Sequence, residues 1–263
     1  MTPVKKRQLS KISTSYIAVG VALITFTAIL GTSVFLRAKE IRIEGTMIYS
    51  IDEVVEASGL SPGDNLIFIN PQRVSTKIRE ELSFVSAANI TRVLPDVVLI
   101  EITESPAIGK VMFSGEICII DAEGRVLALS SGGAINLRGV DFDELIEVRG
   151  LEIDDAIIGS TLRSEFGAEI KLQNMQDIFS AMGREEILGD VSYLDVSNSN
   201  NLHFGYKSRY RVVLGERRNL RQKMELLESS VEAIAQRYPN TPGDINMAEV
   251  TDTSNEVKFR PNQ

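Results

Sequence analysis

The spacing of apolar and polar positions changes character along this chain, beginning with one uncharged run, Ile12–Leu36, which holds no Asp, Glu, Lys, Arg or His. A helix needs about 20 apolar residues to cross a bilayer core roughly 30 Å thick, where the backbone must satisfy its own polar groups. The run therefore predicts one N-terminal transmembrane helix over residues 15–36, in contact with membrane lipid. Lys5, Lys6, Arg7 and Lys11 precede it, and no acidic residue occurs before Glu40. Basic flanks stay on the cytoplasmic side, which predicts a cytoplasmic tail over 1–14 and an exported remainder in a single-pass protein. A cleaved signal peptide starts in the same way, but its apolar region is shorter and ends in small residues. Val34-Phe35-Leu36-Arg37 offers no such site.

Beyond the run, the pattern alternates between periods of two and of about 3.6. Ile41 and Ile43 lie on one face of Glu40–Glu44 and Arg42 on the other, a short strand closed by Gly45. Ser50-Ile51-Asp52-Glu53 is a capping box opening a helix that Gly59 is placed to stop. Asn70-Pro71 supplies the cap and first position of a second helix, with Val74, Ile78 and Leu82 along one side. Strands over Val85–Val93 and Val97–Glu104 follow, joined at Leu94-Pro95-Asp96. The order is β-α-α-β-β over residues 40–104, a three-stranded sheet under two helices.

From residue 107 the texture becomes hairpins. Glu116–Asp121 and Arg125–Leu129 flank a short turn ending in Gly124. Strands are expected at Glu147–Leu151, Asp190–Val196, Leu202–Tyr206 and Arg209–Leu214, with a helix over Glu169–Met182. Leu220, Met224, Leu227, Val231, Ile234 and Tyr238 form a long amphipathic helix ended by Pro239. Asp244–Glu249 is read as a last strand. The fold class is α+β: a spanning helix, a small α/β module, and a β-rich domain over 107–250 with an antiparallel sheet and a long helix, then a polar tail over 251–263.

Composition then removes chemistries. All 36 acidic residues follow the uncharged run, and four of the 28 basic residues precede it. An acidic exported part is a poor partner for nucleic acid. Cys118 and His203 each stand alone, which excludes an intrachain disulfide, most zinc sites and a Cys-His pair. The sequence holds no Trp, and no motif calls for a cofactor. Asp52, Glu53 and Glu56 suit the dipole at a helix start. Glu101 and Glu104 fall on opposite faces of a strand, so they are not paired catalytic carboxylates. His203, between Leu202 and Phe204, reads as a strand residue, and no catalytic residue is assigned.

Six motifs in order resemble those of the FtsQ/DivIB family of bacterial cell-division proteins, single-pass proteins with an external POTRA domain and a β-rich domain. They are Ile41-Arg42-Ile43-Glu44-Gly45, Thr91-Arg92-Val93-Leu94-Pro95-Asp96 with Ile100-Glu101-Ile102, Glu104-Ser105-Pro106, Ile119-Ile120-Asp121 with Gly124-Arg125-Val126-Leu127, Asp190-Val191-Ser192-Tyr193-Leu194-Asp195, and Val213-Leu214-Gly215 before the long helix. The resemblance implies a non-enzymatic scaffold in the bacterial cytoplasmic membrane at the division septum. Its implied partners are FtsL-like and FtsB/DivIC-like small proteins and the septal peptidoglycan synthase. The competing function, a membrane-anchored envelope hydrolase or transferase using carboxylates, needs an Asp/Glu pair that the sequence does not display.

One segment suits recognition. If Asp244, Ile245, Asn246, Met247, Ala248 and Glu249 form the last strand, their backbone groups line an edge without the Pro or Lys that usually blunts one. A partner strand would satisfy them. In the family that the chain resembles, the C-terminal edge receives such a strand. The alternative is that residues 256–260 fold back and cover the edge themselves.

Overall fold

The computed structural model describes residues 16–27, 36–130, 139–251 and 253–262. It corrects the expectation of a transmembrane helix. Residues 16–27 are helical, but among the described residues no helix is long and apolar enough to cross a membrane. At 1.5 Å per residue this helix reaches about 18 Å, short of a bilayer core. Thr25 and Thr27 turn their hydroxyls back onto the carbonyls of Val21 (2.8 Å) and Leu23 (2.9 Å), an arrangement that slightly weakens a helix. The orienting residues Lys5, Lys6, Arg7 and Lys11 lie outside the described residues, as do 28–35 of the expected span.

The first compact unit comprises residues up to Glu81 together with Ala87–Thr103. Its elements are β1 (Glu40–Glu44), α1 (Ile51–Ser58), α2 (Pro71–Glu81), β2 (Val85–Val93) and β3 (Val97–Glu104). β3 is central, with β1 parallel to it in register Glu40↔Val97 to Glu44↔Glu101, and β2 on its other side. The capping box is formed: Glu53 N–H donates to Ser50 Oγ (3.3 Å) and Ser50 N–H to Glu53 Oε2 (2.7 Å). Gly59 ends α1 in the left-handed region at φ 66°, where a side chain would be strained. Asn70 Oδ1 caps α2 by accepting from Arg73 N–H (3.2 Å). Val54, Leu66, Ile78, Val98 and Ile100 are fully buried, so the alternation in β3 falls in the phase that its apolar residues require.

The second unit comprises Leu82–Ser86 and Glu104–Gln263. Its strands are β4 (Gly109–Phe113), β5 (Glu116–Ile120), β6 (Val126–Ser130), β7 (Ile146–Arg149), β8 (Ile153–Asp155), β9 (Arg163–Ser164), β10 (Val191–Asp195), β11 (Leu202–Tyr206), β12 (Tyr210–Gly215), β13 (Gly243–Asn246) and β14 (Lys258–Pro261). Two helices accompany them, α3 (Glu169–Arg184) and α4 (Leu220–Arg237). Nine strands form one sheet in the order β14-β13-β12-β11-β10-β7-β4-β5-β6, and β8 pairs with β9 apart from it.

This sheet is mixed, not antiparallel as expected. The pairs β10–β7, β12–β13 and β4–β7 run parallel. The physical reason is connectivity. α4 carries the chain from β12 back to the start of β13, and α3 lies between β7 and β10, so each crossover returns the strand in the same direction. Met175, Ile178, Phe179 and Met182 of α3 and Leu220, Met224, Leu227 and Val231 of α4 are buried in one core with Val148, Leu194, Phe204, Val212 and Ile245. Lys223 is the exception on that stripe. Its buried ammonium donates to the carbonyls of Leu214 (2.7 Å) and Glu216 (3.0 Å), and burial pushes its pKa down.

Candidate partner-binding interface

The residues expected to form the partner edge do not lie at the edge of the sheet. Asp244, Ile245 and Asn246 belong to β13, which has β12 on one side and β14 on the other. Met247 is fully buried and its N–H donates to Val213 C=O (2.8 Å). Ala248 N–H is held by Asn246 Oδ1 (2.9 Å), and the Glu249 carboxylate meets Lys258 Nζ at 2.6 Å. The chain turns back after Val250 and covers β13 itself. Phe259 adds ring contacts to the backbone ladder of this docking: its ring lies 6.2 Å from that of Tyr210 and 5.3 Å from that of Tyr238.

The open edge is therefore β14, in register Asp244↔Arg260 and Asn246↔Lys258 with β13. Asn262 N–H donates to Pro242 C=O (3.0 Å), which sets the phase of the ladder. In an antiparallel pair, bonded and non-bonded positions alternate. Arg260 and Lys258 thus turn their backbone groups toward β13, while Phe259 and Pro261 turn theirs outward. Phe259 offers a donor and an acceptor there. Pro261 offers only its carbonyl.

The other end of the sheet differs. Val126 N–H donates to Ser160 C=O (2.9 Å), Gly159 N–H donates to Val126 C=O (2.8 Å), and Ser83 Oγ donates to Leu127 C=O (2.6 Å). Segments from elsewhere in the unit thus occupy outer backbone groups of β6 at Val126 and Leu127, whereas β14 has no such cover among the described residues.

A polar face lies opposite the helices. The Arg149 guanidinium sits 4.4 Å from the centre of the Tyr193 ring, and the His203 ring meets that ring edge-on at 6.0 Å. Burial opposes ionisation of Asp195, but hydrogen bonds from Ser197 and the charges of His203 and Arg149 still hold its carboxyl below the ordinary value. His203 Nε2 is 3.8 Å from Asp195 Oδ2, and Nδ1 lies 3.1 Å from Asn201 O. This is cross-strand pairing on a sheet surface, with His203 in β11 as its flanking residues predict. Glu101 accepts from Asn89 Nδ2 (2.8 Å). Among the described residues no group of His, Cys, Asp and Glu is placed to hold a metal.

The comparison with known proteins agrees with this architecture. A POTRA domain of the FtsQ type matches residues 36–105, which include β1, α1, α2, β2 and β3. The chain is similar to the cell division protein DivIB of Clostridium tetani, 20% identical over 190 residues, or 72% of this chain and 68% of that protein. It is similar to FtsQ of Corynebacterium glutamicum, 30% identical over 132 residues, or 48% of this chain and 58% of that one. DivIB of Clostridium acetobutylicum is 22% identical over 214 residues, covering 81% of this chain and 80% of that protein. These similarities support the FtsQ/DivIB family for this chain. The FtsQ-type POTRA module precedes a sheet whose C-terminal edge is β14. Sequence reasoning held this strand only as the alternative, residues 256–260 folding back over the edge, because Lys258 and Arg260 give it a polar look. The single inward aromatic, Phe259, was the available signal.

Proposed function

We propose that this chain is a non-catalytic scaffold of bacterial cell division, acting at the septum. It accepts a β-strand from an FtsB/DivIC-like partner along β14 and holds that partner, with an FtsL-like protein, beside the septal peptidoglycan synthase. The observation that carries this reading is the contrast between the two sheet ends: β6 is covered at Val126 and Leu127, and β14 turns Phe259 N–H and C=O outward. Strand addition draws its affinity from such backbone groups. The FtsQ-type POTRA match and the similarity to cell division proteins supply the cell-division setting.

The test is co-purification of the small division partners with the full chain and two variants at one residue. Phe259→Ala removes the ring and keeps the outward N–H. Phe259→Pro removes both. We expect the alanine variant to retain partner binding and the proline variant to lose it, with both folded by circular dichroism. If the folded proline variant binds at parental strength, the partner does not pair with β14.

A further inference from the structure

We propose that the cleft between β4 and β7 is a second peptide-binding site, taking an extended apolar segment that carries an acidic residue. It involves other strands than the β14 edge and stands independently of the function proposed above.

The sheet splits at this point. The β4–β7 ladder ends at Lys110↔Glu147. On either side the flanking ladders continue, β4 with β5 as far as Phe113↔Glu116 and β7 with β10 as far as Arg149↔Asp195. Ile146 N–H donates to Ile108 C=O (3.0 Å), whereas Arg149 C=O accepts from Val196 N–H on the β10 side (3.0 Å). With that phase, Met112 N–H and C=O and Val148 C=O turn into the opening, beyond the last paired residues. The interior of a sheet rarely leaves such groups without a ladder.

The opening has a volume of about 430 Å³, in the range of pockets that bury a ligand. Met112, Ile117, Leu151 and Ile153 give it apolar walls, and Met112 is 65% exposed. An extended peptide supplies what the cleft lacks: a carbonyl for Met112 N–H, donors for the two carbonyls, and an apolar side chain for the walls. The rim selects its charge. Arg149 binds the Glu147 carboxylate at 2.7 and 3.0 Å, and that bond, with the nearby charges of Arg149 and Lys110, keeps the Glu147 pKa low. Lys110 Nζ has a neutral partner, Phe142 C=O (2.7 Å). Among the residues that line the opening, Lys110 and Arg149 stand against the one carboxylate of Glu147, with Asp195 as a second acidic neighbour of Arg149 outside the lining; the lining is locally positive on a chain of net charge −8. An acidic residue on the peptide matches it.

The probe is a set of capped hexapeptides in which threonine alternates with valine, leucine or phenylalanine, each carrying one glutamate. They are added to the full chain labelled at its amide nitrogens. We expect saturable shifts at the amides of Met112 and Arg149. N-methylation at the centre of the peptide should weaken binding about tenfold or more, and glutamine in place of the glutamate should weaken it several-fold. Leu151→Trp should fill the cleft and abolish the shifts. If that variant does not fold, the N-methyl comparison on the unaltered chain decides. Three results would overturn the proposal: no saturable shift at Met112 with any peptide, equal binding of the N-methylated peptides, or the same shifts on concentrating the chain alone, which would make the occupant a second copy.

Discussion

Gly205 lies directly beneath the ring of Tyr193: a Cβ added to the glycine would stand 2.6 Å from Tyr193 Cε1 and 2.7 Å from Cδ1. Real side chains do not approach so closely, so the glycine makes the room in which the ring lies flat against β11. The same ring carries Arg149 on its face. Gly205→Ala must therefore lift the ring and disturb the Arg149 contact. We expect a loss of about 1–3 kcal/mol in urea unfolding. The double variant with Tyr193→Ala should recover roughly 1 kcal/mol of that loss, the sign of direct coupling. Strict additivity would show that the two residues do not interact.

The POTRA module should be sensitive at its caps and its central strand. Ser50→Ala removes the acceptor for Glu53 N–H, and we expect a cost of about 1 kcal/mol. Gly59→Ala places a side chain at φ 66° and should cost about the same. Val98 is fully buried in β3, so Val98→Asp should destabilise by several kcal/mol. Thermal melting of the full chain, followed at amides within residues 40–104, checks all three.

The thiol of Cys118 couples stability to alkaline pH. Burial, with the charge of Glu116, raises its pKa from 9.0 to about 11. The folded chain then keeps its proton while the unfolded chain loses it. This contribution is fully present below pH 9 and is lost as pH rises from 9 to 11. At pH 10 the loss should be about 1.4 kcal/mol. Urea midpoints at pH 8 and pH 10 should therefore differ less for Cys118→Ala than for the parent. The native thiol should also resist a disulfide reagent at pH 8 and react once unfolded.

Deleting residues 256–263 should turn β13 into the edge. Ile245 and Asn246 would lose their β14 neighbours, and the Tyr210 and Tyr238 rings would lose Phe259. We expect a loss of about 2–3 kcal/mol and concentration-dependent scattering as bare edges pair. An unchanged midpoint would mean that β14 contributes no stability.

What could be read from the sequence follows the range of the forces involved. β1, β2 and β3 and the caps of α1 and α2 were legible because their signals sit within a few residues: Ser50 with Glu53, Asn70 before Pro71, the alternation from Val98 to Ile102. α4 announced itself by its stripe. The five-residue β4 was missed, since Val111 is its one buried large side chain and Met112 is exposed. β8 and β9 are too short to show a period. The parallel pairs were invisible because a crossover decides them, and no local pattern encodes strand direction. The uncharged run misled because hydropathy measures what a segment tolerates and not how long a helix it forms: among the described residues no helix is long and apolar enough to cross a membrane. The last strand of the sheet was placed one strand too early, because a lone Phe259 between basic residues gives no amphipathic pattern.

The open side of β14 has a bearing on how any assembly on this chain must end. Pairing a strand to an edge does not consume the edge; it moves the edge outward by one strand, roughly 4.8 Å. The incoming segment would present its own unpaired backbone to the next comer. Growth then stops only if that segment carries the stop within itself, through a proline, a charge or a turn away from the sheet. Pro261, which lacks a donor at the far end of β14, already shortens the run that a newcomer can zip. The number of chains in the complex would thus be written largely in the partner's sequence, and this chain would set only where counting begins.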